Sequence, residues 1–238
     1  MKLVCHAHTK YSHDSMLPFW LLHMLCLNKG ITHITITEHN NLKGALAFKE
    51  YCERKGNKLH VILGEEVMTT AGEIIGLDIN EHINSGMSPE ETVAEIKRQG
   101  GIVYVPHPYD EKRYKTVLKE PYIEKLQSQI DCIEVHNGRN ISTDYDIKQN
   151  EIAEKYNLRK VIGGDIHTWI EIGKDYMETD IAPETPETFI AAIESATFTS
   201  SPCIPIAHKF TILDRMLSFI QRGDFYGLYR ILVKRLTK

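Results

Sequence analysis

The stretch Cys5-His6-Ala7-His8-Thr9-Lys10-Tyr11-Ser12-His13-Asp14-Ser15 constrains this chain more than any other. It follows the apolar run Leu3-Val4-Cys5, which reads as a buried strand. Residues two apart on a strand point to the same side, so His6 and His8 present two imidazoles together where the strand ends. Two imidazoles on one edge with an aspartate a few residues on form a metal-site pattern. The chain has 12 His, and His-x-His alone reads equally well as an exposed polar loop. What favours the metal reading is that matching pieces recur downstream. Alternation points Cys5 away from the pair, so it is not expected to be a ligand.

Strand-like and helical patterns alternate along the 238 residues. Ile31–Thr37 alternates apolar and β-branched polar residues, as a strand does. A helical stretch with Leu22, Leu25 and Cys26 on one face precedes it, and a helix from Leu42 to Arg54 follows, ended by Gly56. His60–Val67 and Glu73–Ile79 read as strands. Ser88-Pro89-Glu90-Glu91 predicts a helix start, with Ser88 as N-cap, Pro89 at N1 and Glu91 at N3. Ile102–Val105, Cys132–His136 and Lys160–Ile162 complete the strands, and Asp144–Tyr156 is helical. Such alternation implies a parallel sheet with crossover helices. Closed, it is a barrel with its site at the C-terminal strand ends; periodicity alone leaves an open sheet as the alternative.

Ligand-type residues sit where these strands end. Thr37-Glu38-His39, Gly64-Glu65-Glu66, Gly72-Glu73, His107-Pro108 and Gly164-Asp165-Ile166-His167 each adjoin a strand-like run. Any one is weak evidence; five are hard to explain by chance. This series resembles the motifs of the PHP (polymerase and histidinol phosphatase) phosphoesterases over residues 1 to about 170. Their His-x-His-Thr-x-x-Ser is met by His6 to Ser12, and their Thr-Asp-His by Thr37-Glu38-His39, with Glu for Asp. Gly64-Glu65-Glu66, His107-Pro108 and Gly163-Gly164-Asp165-Ile166-His167 meet the remainder.

The resemblance implies an α/β fold, a distorted (β/α)7 TIM-like barrel, read as residues 1–200; the pattern of the remaining residues, 201–238, reads as a helical appendage. The resemblance also implies a trinuclear site holding two or three divalent transition metals (Zn, Mn or Fe). The first metal would use His6, His8, Glu66 and Asp165. The second would use Glu66, Glu73 and His107, and the third Asp14, His39 and His167. Glu73 stands where many members have His, and His13 rivals Asp14. Glu65 faces away from Glu66 by strand alternation. Four carboxylates, three divalent ions and a bridging hydroxide sum to about +1, which suits an anionic substrate. That hydroxide would be the nucleophile. Arg139, in Glu134-x-x-Asn137-x-Arg139, would clamp phosphate as a two-pronged donor or else cap a loop. Lys10 and Arg113 are weaker phosphate candidates. The leaving-group proton would come from His13 or His136, with His39 and His167 as alternatives. His23, His33, His60, His82 and His208 lie outside the motifs and read as structural.

Composition narrows the function. Hydrophobic content of 42% and charged content of 25% suit a soluble globular protein. No apolar leader precedes the His pair, and Met16–Leu27, broken by Pro18 and His23, is too short to span a bilayer. Five cysteines without CxxC spacing read as reduced thiols, so a cytoplasmic location is expected. Residues 209–238 hold seven Lys/Arg and two Asp/Glu, a net of +5, which leaves −9 on the body. The expected activity is hydrolysis of small-molecule phosphate monoesters. A 3′-5′ exonuclease or phosphodiesterase is the alternative, but the acidic body disfavours nucleic acid. A non-catalytic metal-binding regulatory module is a third reading, opposed by the full ligand set. The tail predicts two helices split at Gly223. One carries the stripe Leu213, Met216, Leu217 and Ile220; the other carries Phe225, Leu228, Tyr229, Leu232 and Leu236. Arg222, Arg230, Lys234, Arg235 and Lys238 lie off these stripes. Packing on the barrel or on a second subunit is the favoured reading, and an anionic membrane surface the other.

Overall fold

The computed structural model describes residues 1–221 and 223–236, the side chains at 231, 232 and 234–236 excepted. Arg222 and Lys238 of the tail pattern, and the side chains of Leu232, Lys234, Arg235 and Leu236, lie outside the described residues. Seven strands close into a barrel: β1 (Lys2–Ala7), β2 (His33–His39), β3 (His60–Thr69), β4 (Gly72–Leu77), β5 (Ile102–Val105), β6 (Cys132–Asn137) and β7 (Arg159–Ile166). They pair in sequence order, and β1 closes the ring by pairing with both β2 and β7. The core is built from branched strand residues such as Leu3, Ile34, Ile36, Ile74 and Ile75, all fully buried. Helices α1 (Phe19–Asn28), α2 (Lys43–Arg54), α3 (Pro89–Arg98), α4 (Glu120–Leu126) and α5 (Thr143–Lys155) connect them. Each turns an apolar face inward, as Phe48 and Cys52 of α2 and Val93 and Ile96 of α3 do. The Ser88–Glu91 capping box is present at the start of α3.

The barrel is not wholly parallel. β4 pairs antiparallel with both β3 and β5. The cause is local: only Thr70 and Ala71 separate β3 from β4, enough for a hairpin and far too few for a crossover. The reversal is useful to the site. It brings the start of β4, with Glu73, to the same end of the barrel as the end of β3, with Glu66.

At the opposite end, β8 (Tyr176–Glu178) pairs antiparallel with the start of β1, and β9 (Thr197–Thr199) pairs with β8; α6 (Pro186–Ser195) lies between them. The appendage forms α7 (Pro205–Gln221) and α8 (Phe225–Leu236). The face of α7 that meets the barrel is polar, with His208, Thr211 and Asp214 reaching it one turn apart; Asp214 accepts from the Met16 backbone N–H at 3.2 Å. Its apolar stripe stays outside: Leu213, Leu217 and Ile220 are about half exposed, and Phe225 and Tyr229 of α8 more so. The expected packing of those stripes on the barrel is therefore not what the chain does. No helix among the described residues is long and apolar enough to cross a membrane.

Candidate metal centre

The two leading histidines converge, though not by plain strand alternation. β1 carries a bulge at this point, and His6 has φ +62°. His107 and Asp165 also have positive φ, at +29° and +46°. Such backbone is uncommon for residues with a side chain and costs on the order of 1–3 kcal/mol each. Three strained positions, at the ends of β1, β5 and β7, aim three donors into one space.

That space holds nine candidate ligands. His6 Nε2 lies 3.4 Å from Glu66 Oε1 and 3.7 Å from Asp165 Oδ1. His8 Nε2 lies 3.5 Å from Glu66 Oε2 and 3.7 Å from Asp165 Oδ1. His107 Nε2 lies 3.1 Å from Glu66 Oε1 and 3.6 Å from Glu73 Oε2. His39 Nε2 and His167 Nε2 lie 3.5 and 3.4 Å from Asp14 Oδ1. These contacts run within the three ligand sets that the motif resemblance implies, but others cross them: His39 Nδ1 lies 2.9 Å from Glu66 Oε2, and His8, His39 and His167 offer donor atoms within 4.8 Å of one another, so the nine residues form one continuous cluster. The donors fit a set of cations on a further ground. His6 Nε2, His8 Nε2 and Asp14 Oδ1 are buried without a hydrogen-bond partner among the described residues. Buried polar atoms are rarely left so.

The electrostatics are those of a charge cluster awaiting counter-ions. Burial and the neighbouring His167 and His39 push the His8 imidazolium well below its ordinary pKa. Burial opposes ionisation of Asp14, yet His167 and His39 hold its carboxyl well below the usual range. Burial, then the charge of Glu66, raises Glu73 to about 7.

Several residues hold the ligands in place, and sequence reasoning gave them no such role. Glu134 is fully buried; it accepts from His6 Nδ1 at 2.7 Å, Tyr104 Oη at 2.6 Å, the His107 N–H at 2.7 Å and Asn137 Nδ2 at 2.8 Å. Gly163 makes room for it, since a Cβ there would come within 2.0 Å of Glu134 Oε1. Glu38 is not a ligand. It accepts from the Thr9 N–H and hydroxyl and from Ser12 Oγ, which explains the Thr and Ser of the opening motif. Arg113 is spent on orienting Asp165: it donates to that carboxylate, to Asp110 at 2.8 Å and to Asn137 Oδ1 at 3.0 Å. Lys10 is exposed, its ammonium 5.1 Å from the Phe19 ring centroid. Glu65 turns outward, with His82 Nδ1 at 2.8 Å and the Ile83 N–H donating to it.

The three residues expected to act on substrate fare differently. Arg139 is 5% exposed and lines the cavity. Its Nη2 donates to Thr211 Oγ1 at 2.8 Å and to His208 Nδ1 at 3.2 Å, while Nη1 makes a buried ion pair with Glu171 Oε1 at 3.4 Å, without hydrogen-bond geometry. His13 also lines the cavity, with Nε2 3.7 Å from Asp14 Oδ2. Burial foremost, and the nearby His39 and Arg215, lower its pKa to about 4, so it meets the cavity as a neutral imidazole. His136 is not at the site. Its two nitrogens are tied to Asp146 at 2.8 Å and Asp175 at 3.1 Å, on the outer side of β6, and this pinning removes it from proton transfer at the mouth. His208, Thr211 and Arg215 of α7 complete the cavity wall, which a polar helix face in the tail could have signalled.

The family model for the PHP domain matches residues 5–166. An uncharacterized protein of Methanocaldococcus jannaschii is 31% identical over 191 residues, covering 79% of this chain and 74% of that one. A second from the same organism is 42% identical over 121 residues, 46% and 68% of the two chains. Two solved structures share the fold. One is a two-domain protein from Bacteroides vulgatus containing a predicted PHP-like metal-dependent phosphoesterase, with TM-score 0.66, 18% identity, and coverage of 84% of this chain and 64% of that one. The other is PsfC from Pseudomonas syringae, with TM-score 0.62, 15% identity, and coverage of 91% and 97%. With the family model spanning the barrel from β1 to β7 and each of its motifs placed at the barrel mouth, the chain belongs to the PHP domain family.

Proposed function

We propose that the protein is a metal-dependent phosphoesterase that hydrolyses small-molecule phosphate monoesters. The observation that carries this reading is the convergence of nine donor residues, several with unpartnered buried atoms, in a cavity that Arg139 also lines. His6, His8, Glu66 and Asp165 would hold one metal; Glu66, Glu73 and His107 a second; Asp14, His39 and His167 a third. When bound, divalent metals neutralise phosphate charge and lower the pKa of water to about 7. The chain's own groups do the rest. Arg139, anchored on α7 through Nη2 and beside Glu171 through Nη1, would turn its Nη1 prong to a phosphate oxygen. His13, at the cavity wall 3.7 Å from Asp14, would relay a proton to the leaving oxygen. The cavity, about 610 Å³, is of small-molecule size, and α7 walls one side of it, which speaks against a long nucleic-acid groove. Lys112, Lys115 and Arg215 add positive charge to its lining.

Elemental analysis of protein purified without chelator should find at least two or three transition-metal ions per chain, and a panel of phosphate monoesters should be hydrolysed. A metal-free chain that Mn and Zn do not activate would sink the reading. Arg139→Lys keeps the charge but loses the planar fork. A charge-assisted hydrogen bond is worth about 1.5–3 kcal/mol, which predicts roughly a 10- to 150-fold loss in kcat/KM at about 1.4 kcal/mol per decade. Metal content should not change. Full activity in this variant would place the phosphate grip elsewhere.

A further inference from the structure

A second set of metal-type donors lies at the foot of the barrel. His33 opens β2 and His60 opens β3, and the parallel register makes them direct partners. Their rings stack with centroids 4.9 Å apart at 18°. Glu184, in the loop between β8 and α6, adds a carboxylate, and one donor atom from each of the three lies within 4.8 Å of the others. The loop is fixed by the cap of α6, where the Glu184 N–H donates to Thr188 Oγ1 at 3.0 Å. His39 is six residues further along β2, about 20 Å away at roughly 3.3 Å per residue. The foot is thus separate from the mouth.

His33 decides what the cluster can do. It is 3% exposed. The Thr32 hydroxyl donates its one proton to the Lys2 carbonyl at 3.1 Å and accepts from the Lys2 N–H at 3.0 Å. The same hydroxyl lies 2.9 Å from His33 Nδ1, so this nitrogen is the one engaged by the protein. His33 Nε2 is buried and without a hydrogen-bond partner among the described residues. This is the arrangement of a ligating histidine, whose second nitrogen donates outward and fixes the tautomer.

We propose that His33, His60 and Glu184 form a structural transition-metal site, with zinc as the fitting ion. Two imidazoles and a carboxylate are a zinc donor set. The fourth position would face a cleft of about 330 Å³ lined by His60 and Glu184, with Lys49, Glu53 and Asp78 on its walls, and would be open to a water. The ion ties the loop before α6 to the start of β2 and β3. It takes no part in the chemistry at the mouth, so the site stands whether or not the phosphoesterase reading does.

The test uses the full chain, stripped of metal and titrated with zinc against a chromophoric chelator. Glu184→Ala and His60→Gln alter side chains at the cleft surface and should leave the fold and the mouth intact. Each should bind one equivalent fewer than the unaltered protein, with phosphate-ester hydrolysis of the metal-loaded variants unchanged. A crystal of the zinc-loaded protein should show an anomalous peak about 2.0–2.1 Å from His33 Nε2. Equal zinc equivalents in all three proteins, or density for water alone beside His33 while the mouth is loaded, would overturn the proposal.

Discussion

Glu65 and Glu66 are neighbours on β3 with opposite duties. Glu66 Oε1 faces His6 and His107 and its Oε2 faces His8, whereas Glu65 holds His82 and the Ile83 N–H on the far side of the strand. Replacing either by Gln keeps the shape and removes a charge, so the pair isolates position from chemistry. Glu66→Gln should lower activity by at least about 100-fold, more than losing a residue that merely orients a ligand, which costs about 10- to 100-fold. Glu65→Gln keeps an oxygen for the Ile83 N–H and should cost little. Equal losses in the two variants would mean that Glu65 also serves the metals. The distinction was readable from strand alternation, because this part of β3 is regular. At His6 it was not, since the bulge and positive φ there are set by tertiary contacts: the His6 N–H donates to Thr35 Oγ1 at 2.8 Å, and the ring is held by Glu134. Glu134 itself was visible only as part of a pattern, because the burial that makes it an anchor belongs to the assembled barrel.

At the scale of elements, the strands with apolar alternation and the capped helix α3 were legible, since their signals are local. The reversal of β4 was missed, although the short link after Thr69 held the cue: two residues permit only a hairpin. The site-facing side of α7 was missed for a different reason. Its apolar stripe suggested the buried face, yet the polar face is the one that docks, through His208, Thr211 and Asp214. His136 belongs to this scale, because it joins β6 to α5 through Asp146 and to the segment before β8 through Asp175. Burial disfavours the charged ring, but the two carboxylates outweigh it and raise the pKa to about 9. A group whose pKa rises on folding stabilises the folded state fully below its unfolded value, about 6.5. That contribution is lost as pH climbs through 9. Urea unfolding should therefore show stability falling between pH 6.5 and 9 by up to about 3 kcal/mol, at about 1.36 kcal/mol per pKa unit. The slope should flatten in His136→Gln. An identical slope in that variant would show that the ion pairs do not couple His136 to folding.

Across the whole molecule, folding gathers Asp14, Glu66, Glu73 and Asp165 with five imidazoles at one end of the barrel, almost out of contact with water. Carboxylates and imidazoles partly neutralise each other there, but Glu73 is left opposed by Glu66, and His8 by His39 and His167. Bringing such a set together costs free energy that the apolar core must offset, and cations bound only by the folded chain return it. Mass action sets the scale: about 2.7 kcal/mol per site at a free metal concentration of 100 Kd. For a domain of this size, 1 kcal/mol moves Tm by roughly 2–4 °C. Complete chelation should therefore lower Tm by about 5–10 °C for one site at that loading, and by more if several sites empty together. The measurement belongs in Glu184→Ala protein, where the foot of the barrel contributes no metal and only the mouth is read. Adding back Mn or Zn should restore Tm in step with the phosphoesterase activity. If Tm stayed fixed while elemental analysis showed the metals gone, the mouth would be stable without counter-ions, and its buried unpartnered donors would have to be satisfied by water.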